Sequence, residues 1–117
     1  FSLMHAGNNG VGIIPFLNLF LFGIFTALFL LKTNSLFAVC ALHGIWNFAE
    51  GCIIGLPVSG MSIATSLFSS VPLADRVLTN GGDFGPEGGA VVTLVLLLSL
   101  AVLLYWPQKK KADAPAA

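Results

Sequence analysis

The chain has 117 residues and no net charge, with 56% apolar and 9% charged residues. Soluble domains carry about 25% charged residues, so this is one domain built for lipid rather than water. With no excess of positive charge there is no reason to expect a nucleic-acid partner. Before residue 57 only Lys32 and Glu50 are formally charged, whereas Lys109, Lys110 and Lys111 cluster behind the last apolar run.

Residues 1–4 read as the tail end of an apolar helix. The sequence opens inside apolar residues at Phe1, without a basic n-region or cleavage-site pattern, so a signal peptide is excluded and the C-terminal part of a longer polypeptide is expected. His5 follows, then a Gly/Asn-rich break, Ala6-Gly7-Asn8-Asn9-Gly10-Val11-Gly12, with strong turn character. Residues 12–31 form the first full span, with Pro15 in the opening turn, where proline is tolerated. Asn18, polar inside this span, is expected to make an interhelical hydrogen bond worth about 1 kcal/mol or less. Lys32-Thr33-Asn34 is a tight connection, and Asn34 or Ser35 caps the next helix.

Residues 35–56 are the second span, stopped by Pro57. Gly51 and Gly55 form a small-xxx-small pair that would let another helix come close. Cys40 and Cys52 lie roughly 18 Å apart along this helix, too far for a disulfide, and read as small buried apolar residues. Residues 57–89 form a long loop, turn-rich at both ends. Its middle, 61–78, suits a short interfacial or re-entrant helix. Residues 90–106 are the third span, closed by Tyr105 and Trp106 at the level of an aromatic belt. A basic cytoplasmic tail, 107–117, follows, disordered over 112–117.

The fold expected is all-α: a multi-pass transmembrane bundle of about three spans plus a truncated helix end, over residues 1–106. The positive-inside rule places Lys109–Lys111 and the C-terminus in the cytoplasm, with the protein in the cell membrane. Three alternating spans put Lys32 on the same side and the loop 57–89 outside.

Candidate chemistry centres on Leu42-His43-Gly44-Ile45-Trp46-Asn47-Phe48. His43 and Asn47 are four apart and share one helix face, and Glu50 is expected on that face two turns outward from His43. Polar groups on a membrane helix are expensive and usually face a cavity or a partner. Together with His5 they make a candidate metal set, because two neutral imidazoles and an oxygen donor suit a divalent metal such as zinc with a position open for water. The alternative is that His43 and Asn47 donate hydrogen bonds to a developing oxyanion. A carboxylate in a matching position is missing, and Glu50 lies too far outward to serve. For His5 to meet His43, the Gly7–Gly12 break must be buried against protein.

Phe1-Ser-Leu-Met-His5, then Ala-Gly-Asn-Asn-Gly, then His43-Gly-Ile-Trp-Asn47, resemble the second and third motifs of the CPBP family, Phe-x-x-x-His and His-x-x-x-Asn/Asp. These are the type 2 CAAX prenyl proteases and bacteriocin-processing intramembrane proteases, also called Abi proteins. Gly82-Asp-Phe-Gly-Pro-Glu-Gly before the last helix is similar to many bacterial members. The resemblance implies an intramembrane endopeptidase acting on membrane-associated peptides or proteins, with His5, His43 and Asn47 in the site. It implies a water activated by a glutamate from a Glu-Glu-x-x-x-Arg motif, with or without a metal. The sequence contains no such motif: its acids are Glu50, Asp75, Asp83, Glu87 and Asp113. The chain is therefore expected to be inactive alone. The other classes left open are a non-catalytic relative, acting as scaffold or bacteriocin immunity factor, and a small ion or metal carrier.

Overall fold

The computed structural model describes residues 1–107, and among them it is all-α. A 3-10 turn, Ser2–His5, precedes the Gly/Asn break. Helix α1 is Ile13–Thr33. Helix α2 is Leu36–Asn47 and runs on without a break as a π-helix, Phe48–Ile54. Helix α3 is the single turn Val77–Asn80, and α4 is Ala90–Tyr105. Lys109–Lys111 and the expected tail, apart from Pro107, lie outside the described residues.

Two stretches, Ile13–Thr33 and Leu36–Ile54, are long and apolar enough to cross a membrane. Helix α4 is equally apolar, but its 16 residues reach roughly 24 Å, short of a bilayer core of about 30 Å. The helices leave large apolar side chains uncovered, among them Phe37 (83% exposed) and Ile13 (89%), as lipid-facing helices do. Cys40 is on such a surface and Cys52 is half-buried, so neither is the buried residue expected. Lipid substitutes for the protein core there.

Local chemistry sets the helix ends. Asn34 takes the left-handed conformation (φ 51°) and its N–H returns to the Leu30 carbonyl at 2.7 Å, closing α1. Ser35 then caps α2, its hydroxyl accepting from the Ala38 N–H at 3.2 Å. The second span ends at Gly55 (φ 79°), not at Pro57, because a left-handed C-cap has already turned the chain. Its last carbonyls do not go unpaired. Cys52 and Ile53 accept from the Leu67 and Phe68 N–H groups at 2.8 and 2.9 Å, and Ile54 accepts from the Ser70 hydroxyl at 2.8 Å.

That docking explains two departures from expectation. Among the described residues no helix packs on Gly51 and Gly55. The returning loop does, with Ile63 and Val58 over Gly51 and the Phe68 carbonyl over Gly55. Nor do residues 61–78 form a re-entrant helix. Serines, Thr65 and Pro72 disfavour one, and an extended backbone is what reaches the α2 carbonyls. Only the 3-10 turn Ala74–Arg76 and α3 are helical there.

Helices α1 and α4 pack along each other and run parallel. At one end Asn18 donates to the carbonyls of Glu87 (2.8 Å) and Gly89 (2.9 Å) and accepts from the Thr93 hydroxyl (2.6 Å). At the other, Lys32 Nζ donates to the Trp106 carbonyl at 2.7 Å. Asn18 thus makes the interhelical bond expected of it, and two more. The buried core is Leu19 on α1, Leu96, Leu100 and Leu103 on α4, and Val58 and Phe84 from the loop. The two loop ends meet over the break: the Gly60 N–H donates to the Phe84 carbonyl at 2.8 Å, and Asn8 Nδ2 donates to the Ser59 carbonyl at 2.6 Å.

Candidate active site

The 3-10 turn Ser2–His5 folds Phe1 and His5 back toward the middle of the helices. Both imidazoles pack on one phenyl ring: Phe1 lies 4.7 Å from His5 and 5.8 Å from His43, between ring centroids. Phe22 of α1 closes on His43 edge-to-face at 5.1 Å. The chain thus brings His5 and His43 together around Phe1, thirty-eight positions apart in sequence. The break between His5 and α1 is what permits this. The loop covers one side of it, with Asn8 bonded to Ser59 and Asn9 under Gly60, but Gly7, Asn9, Gly10 and Gly12 are exposed, so the break is not buried in protein as expected.

His5 Nδ1 is 3.2 Å from the Phe1 carbonyl oxygen. A carbonyl only accepts, so Nδ1 carries the hydrogen in this contact, and Nε2 is left with its lone pair. Asn47 is one turn beyond His43, and its Oδ1 is buried with no hydrogen-bond partner. A buried amide oxygen without a partner costs about 1–3 kcal/mol, so this acceptor is free to take a donor or a cation. Two imidazoles, one with Nε2 free, and an unpartnered amide oxygen match in kind the donors that a metal such as zinc accepts. Among the described residues, no group of three or more His, Cys, Asp and Glu side chains gathers closely enough to hold a metal. Any metal here would depend on Asn47 or on a ligand from elsewhere.

Glu50 does not join the histidines. The π-helix starts directly after Asn47, and its i to i−5 bonding changes the rotation per residue, so the stripe expected from His43 through Glu50 breaks. Glu50 is 3% exposed, its Oε1 stands against Gly85, and neither carboxyl oxygen has a hydrogen-bond partner. Glu87 is its like-charged neighbour. Single-turn π segments recur at functional sites.

Sequence reasoning passed over Trp46, Ser59 and Glu87. Trp46 Nε1 donates to Glu87 Oε1 at 3.0 Å, and the Ser59 hydroxyl donates to Glu87 Oε2. The signal was there in part: Glu87 is an acid in a stretch with five glycines between residues 81 and 89. Its partners, forty-one and twenty-eight positions away, could not be read from spacing.

Comparison with known proteins agrees with the motifs. Residues 1–49 match the family described as type II CAAX prenyl endopeptidase Rce1-like. Phe1, His5, His43 and Asn47 all fall inside the match, which covers less than half of the chain. It supports the resemblance to the CPBP membrane proteases, a family of CAAX-type intramembrane endopeptidases. No curated protein and no solved structure matches the chain significantly.

Proposed function

We propose, taking this kinship with the type II CAAX prenyl endopeptidases as the premise, that the chain carries the histidine half of an intramembrane endopeptidase site. The observation that supports it most is the convergence of His5 and His43 on Phe1, with an unpartnered Asn47 oxygen one turn away.

The chain's residues would divide the work as follows. His5, with Nδ1 held by the Phe1 carbonyl, presents Nε2 as a proton acceptor beside the attacking water. The base that shares this proton is a glutamate supplied from outside these 117 residues, since no Glu-Glu-x-x-x-Arg occurs in them. His43 and Asn47 face the substrate carbonyl and polarise it, by donating to its oxygen or by binding a metal that does. His43, Asn47 and, in place of its proton-accepting role, His5 through Nε2 would hold such an ion, and when bound it would supply Lewis-acid polarisation and a more acidic water. Phe1 and Phe22 pack on the imidazoles and limit the directions in which they can turn. The substrates are peptides or proteins already at the membrane.

The test uses the polypeptide encoded by the complete reading frame that contains these residues. His5→Ala and His43→Ala are each expected to lower cleavage of a membrane-associated peptide by at least about 100-fold while membrane insertion is kept. Unchanged cleavage in either variant would overturn the assignment and favour a non-catalytic relative. Reading the frame upstream of Phe1 for paired glutamates on a membrane helix tests the source of the base.

A further inference from the structure

Hydrogen bonds connect the two histidine-bearing segments through one side chain outside both motifs. On the α2 side, Trp46 lies between His43 and Asn47, and its Nε1 donates to Glu87 Oε1 at 3.0 Å. On the other side, the Ser59 hydroxyl donates to Glu87 Oε2. The Ser59 carbonyl accepts from Asn8 Nδ2 at 2.6 Å, and the Asn8 N–H donates to the His5 carbonyl at 3.0 Å. Trp46 and His5 are therefore joined residue to residue by hydrogen bonds, and among the described residues the two sides of this path meet at Glu87.

Two further observations mark this junction. Ser59 has φ 47°, a left-handed conformation uncommon for a residue with a side chain and costly enough to persist only when its surroundings over-determine it. Its hydroxyl, its carbonyl and the N–H of the next residue are all engaged, by Glu87, Asn8 and Phe84. Glu87 is itself fixed at the backbone, where Asn18 of α1 takes its carbonyl at 2.8 Å. The chain thus anchors Glu87 from α1, then uses its carboxyl group to hold α2 against the break.

We propose that Glu87 is a positioning residue: its carboxyl group sets the spacing of His5 and His43 by bonding Trp46 with one oxygen and Ser59 with the other. This rests on the reading of those histidines as reacting groups. Glu87 does not touch them and acts through Trp46 and through the Ser59–Asn8 link. A displacement of about 1 Å in reacting groups can cost on the order of 100-fold in rate. The effect should fall on kcat rather than KM, because substrate contacts are left in place.

The chain contains two histidines, so NMR of isotope-labelled histidine in lipid nanodiscs reads both groups with no need for cleavage. In the full-length polypeptide, single His→Gln variants assign the resonances of His5 and His43. Glu87→Ala should shift or broaden both, Glu87→Gln should restore both, and Asp83→Asn, an exposed acid in the same loop, should move neither. Trp46→Phe, which removes one donor and keeps the packing, should move His43 more than His5, and Ser59→Ala the reverse. In the Glu87→Ala background neither should add to the change, which is how coupling through a shared group shows itself. If Glu87→Ala fails to insert, the Trp46 and Ser59 variants carry the test alone. Histidine signals that stay unchanged in Glu87→Ala, or in both single-donor variants, would overturn the proposal. Where cleavage is measured, Glu87→Ala should lower kcat by roughly 10- to 100-fold with KM within about twofold, and Glu87→Gln should recover most of it. A wild type without cleavage would sink the protease reading, yet the histidine spectra would still decide the role of Glu87.

Discussion

Asn47 and Glu50 are three residues apart, and both carry buried oxygen atoms with no hydrogen-bond partner. Their meanings differ because their surroundings differ. Asn47 is one turn from His43, and the atom left over is an acceptor. An acceptor is what a metal or a donor proton needs, so Asn47→Asp, which keeps oxygen and loses the amide donor, is expected to retain cleavage within about tenfold. Asn47→Ala should lose about 100-fold. Equal loss in the two variants, measured as kcat/KM, would make Asn47 a donor to the oxyanion instead. Glu50 stands against Gly85 with Glu87 as a like-charged neighbour. Two buried carboxyl oxygens without partners are costly, and an amide at this position could donate to Glu87. Glu50→Gln should therefore raise stability by about 1 kcal/mol in a detergent thermal melt and leave cleavage nearly unchanged. A strong loss of stability would show that the carboxyl group has a partner.

At the level of elements, chemistry with a local cause was legible in the sequence. The three apolar runs, expected over 12–31, 35–56 and 90–106, became helices within two residues at each end, because length and apolarity decide a membrane helix. Ser35 and Asn34 were read as alternatives for one cap, and each ends a different helix. The expectation for Asn18 was also sound, since a buried amide has to find a partner. The loop departs from its expected form. Whether residues 61–78 coil or extend depends on the carbonyls of residues 52–54, and their need is invisible in the sequence of the loop itself. The π-helix had no signal either. Of the candidate site, the two histidines were legible as motif residues, but their common neighbour Phe1 and the bridge through Glu87 arise from tertiary packing. Asn18 tests the importance of that packing. Asn18→Leu removes three hydrogen bonds and leaves the Thr93 hydroxyl only the long contact to the Gly89 carbonyl at 3.5 Å, and should cost about 2 kcal/mol in unfolding free energy. A cost under about 0.5 kcal/mol would mean that water or lipid replaces these bonds.

For the molecule as a whole, orientation is the open consequence of the charge pattern. Helices α1 and α4 are parallel, with Lys32 beside Trp106 at one end and the loop at the other. The positive-inside rule then puts Asn34 in the cytoplasm and Asp83 outside. In a Cys40→Ser, Cys52→Ser background, a cysteine at Asn34 should react with an impermeant maleimide only once cells are opened. One at Asp83 should react in intact cells. The reverse pattern would invert the topology and move the His43 site toward the opposite leaflet.

If His5 and His43 work together on a peptide bond, the decisive quantity is the cleavage rate of a membrane-associated peptide in vesicles containing the full-length polypeptide, with and without His43→Ala. Cleavage is expected to fall by at least about 100-fold in the variant, with the protein still inserted. The same rate in both would contradict this joint action.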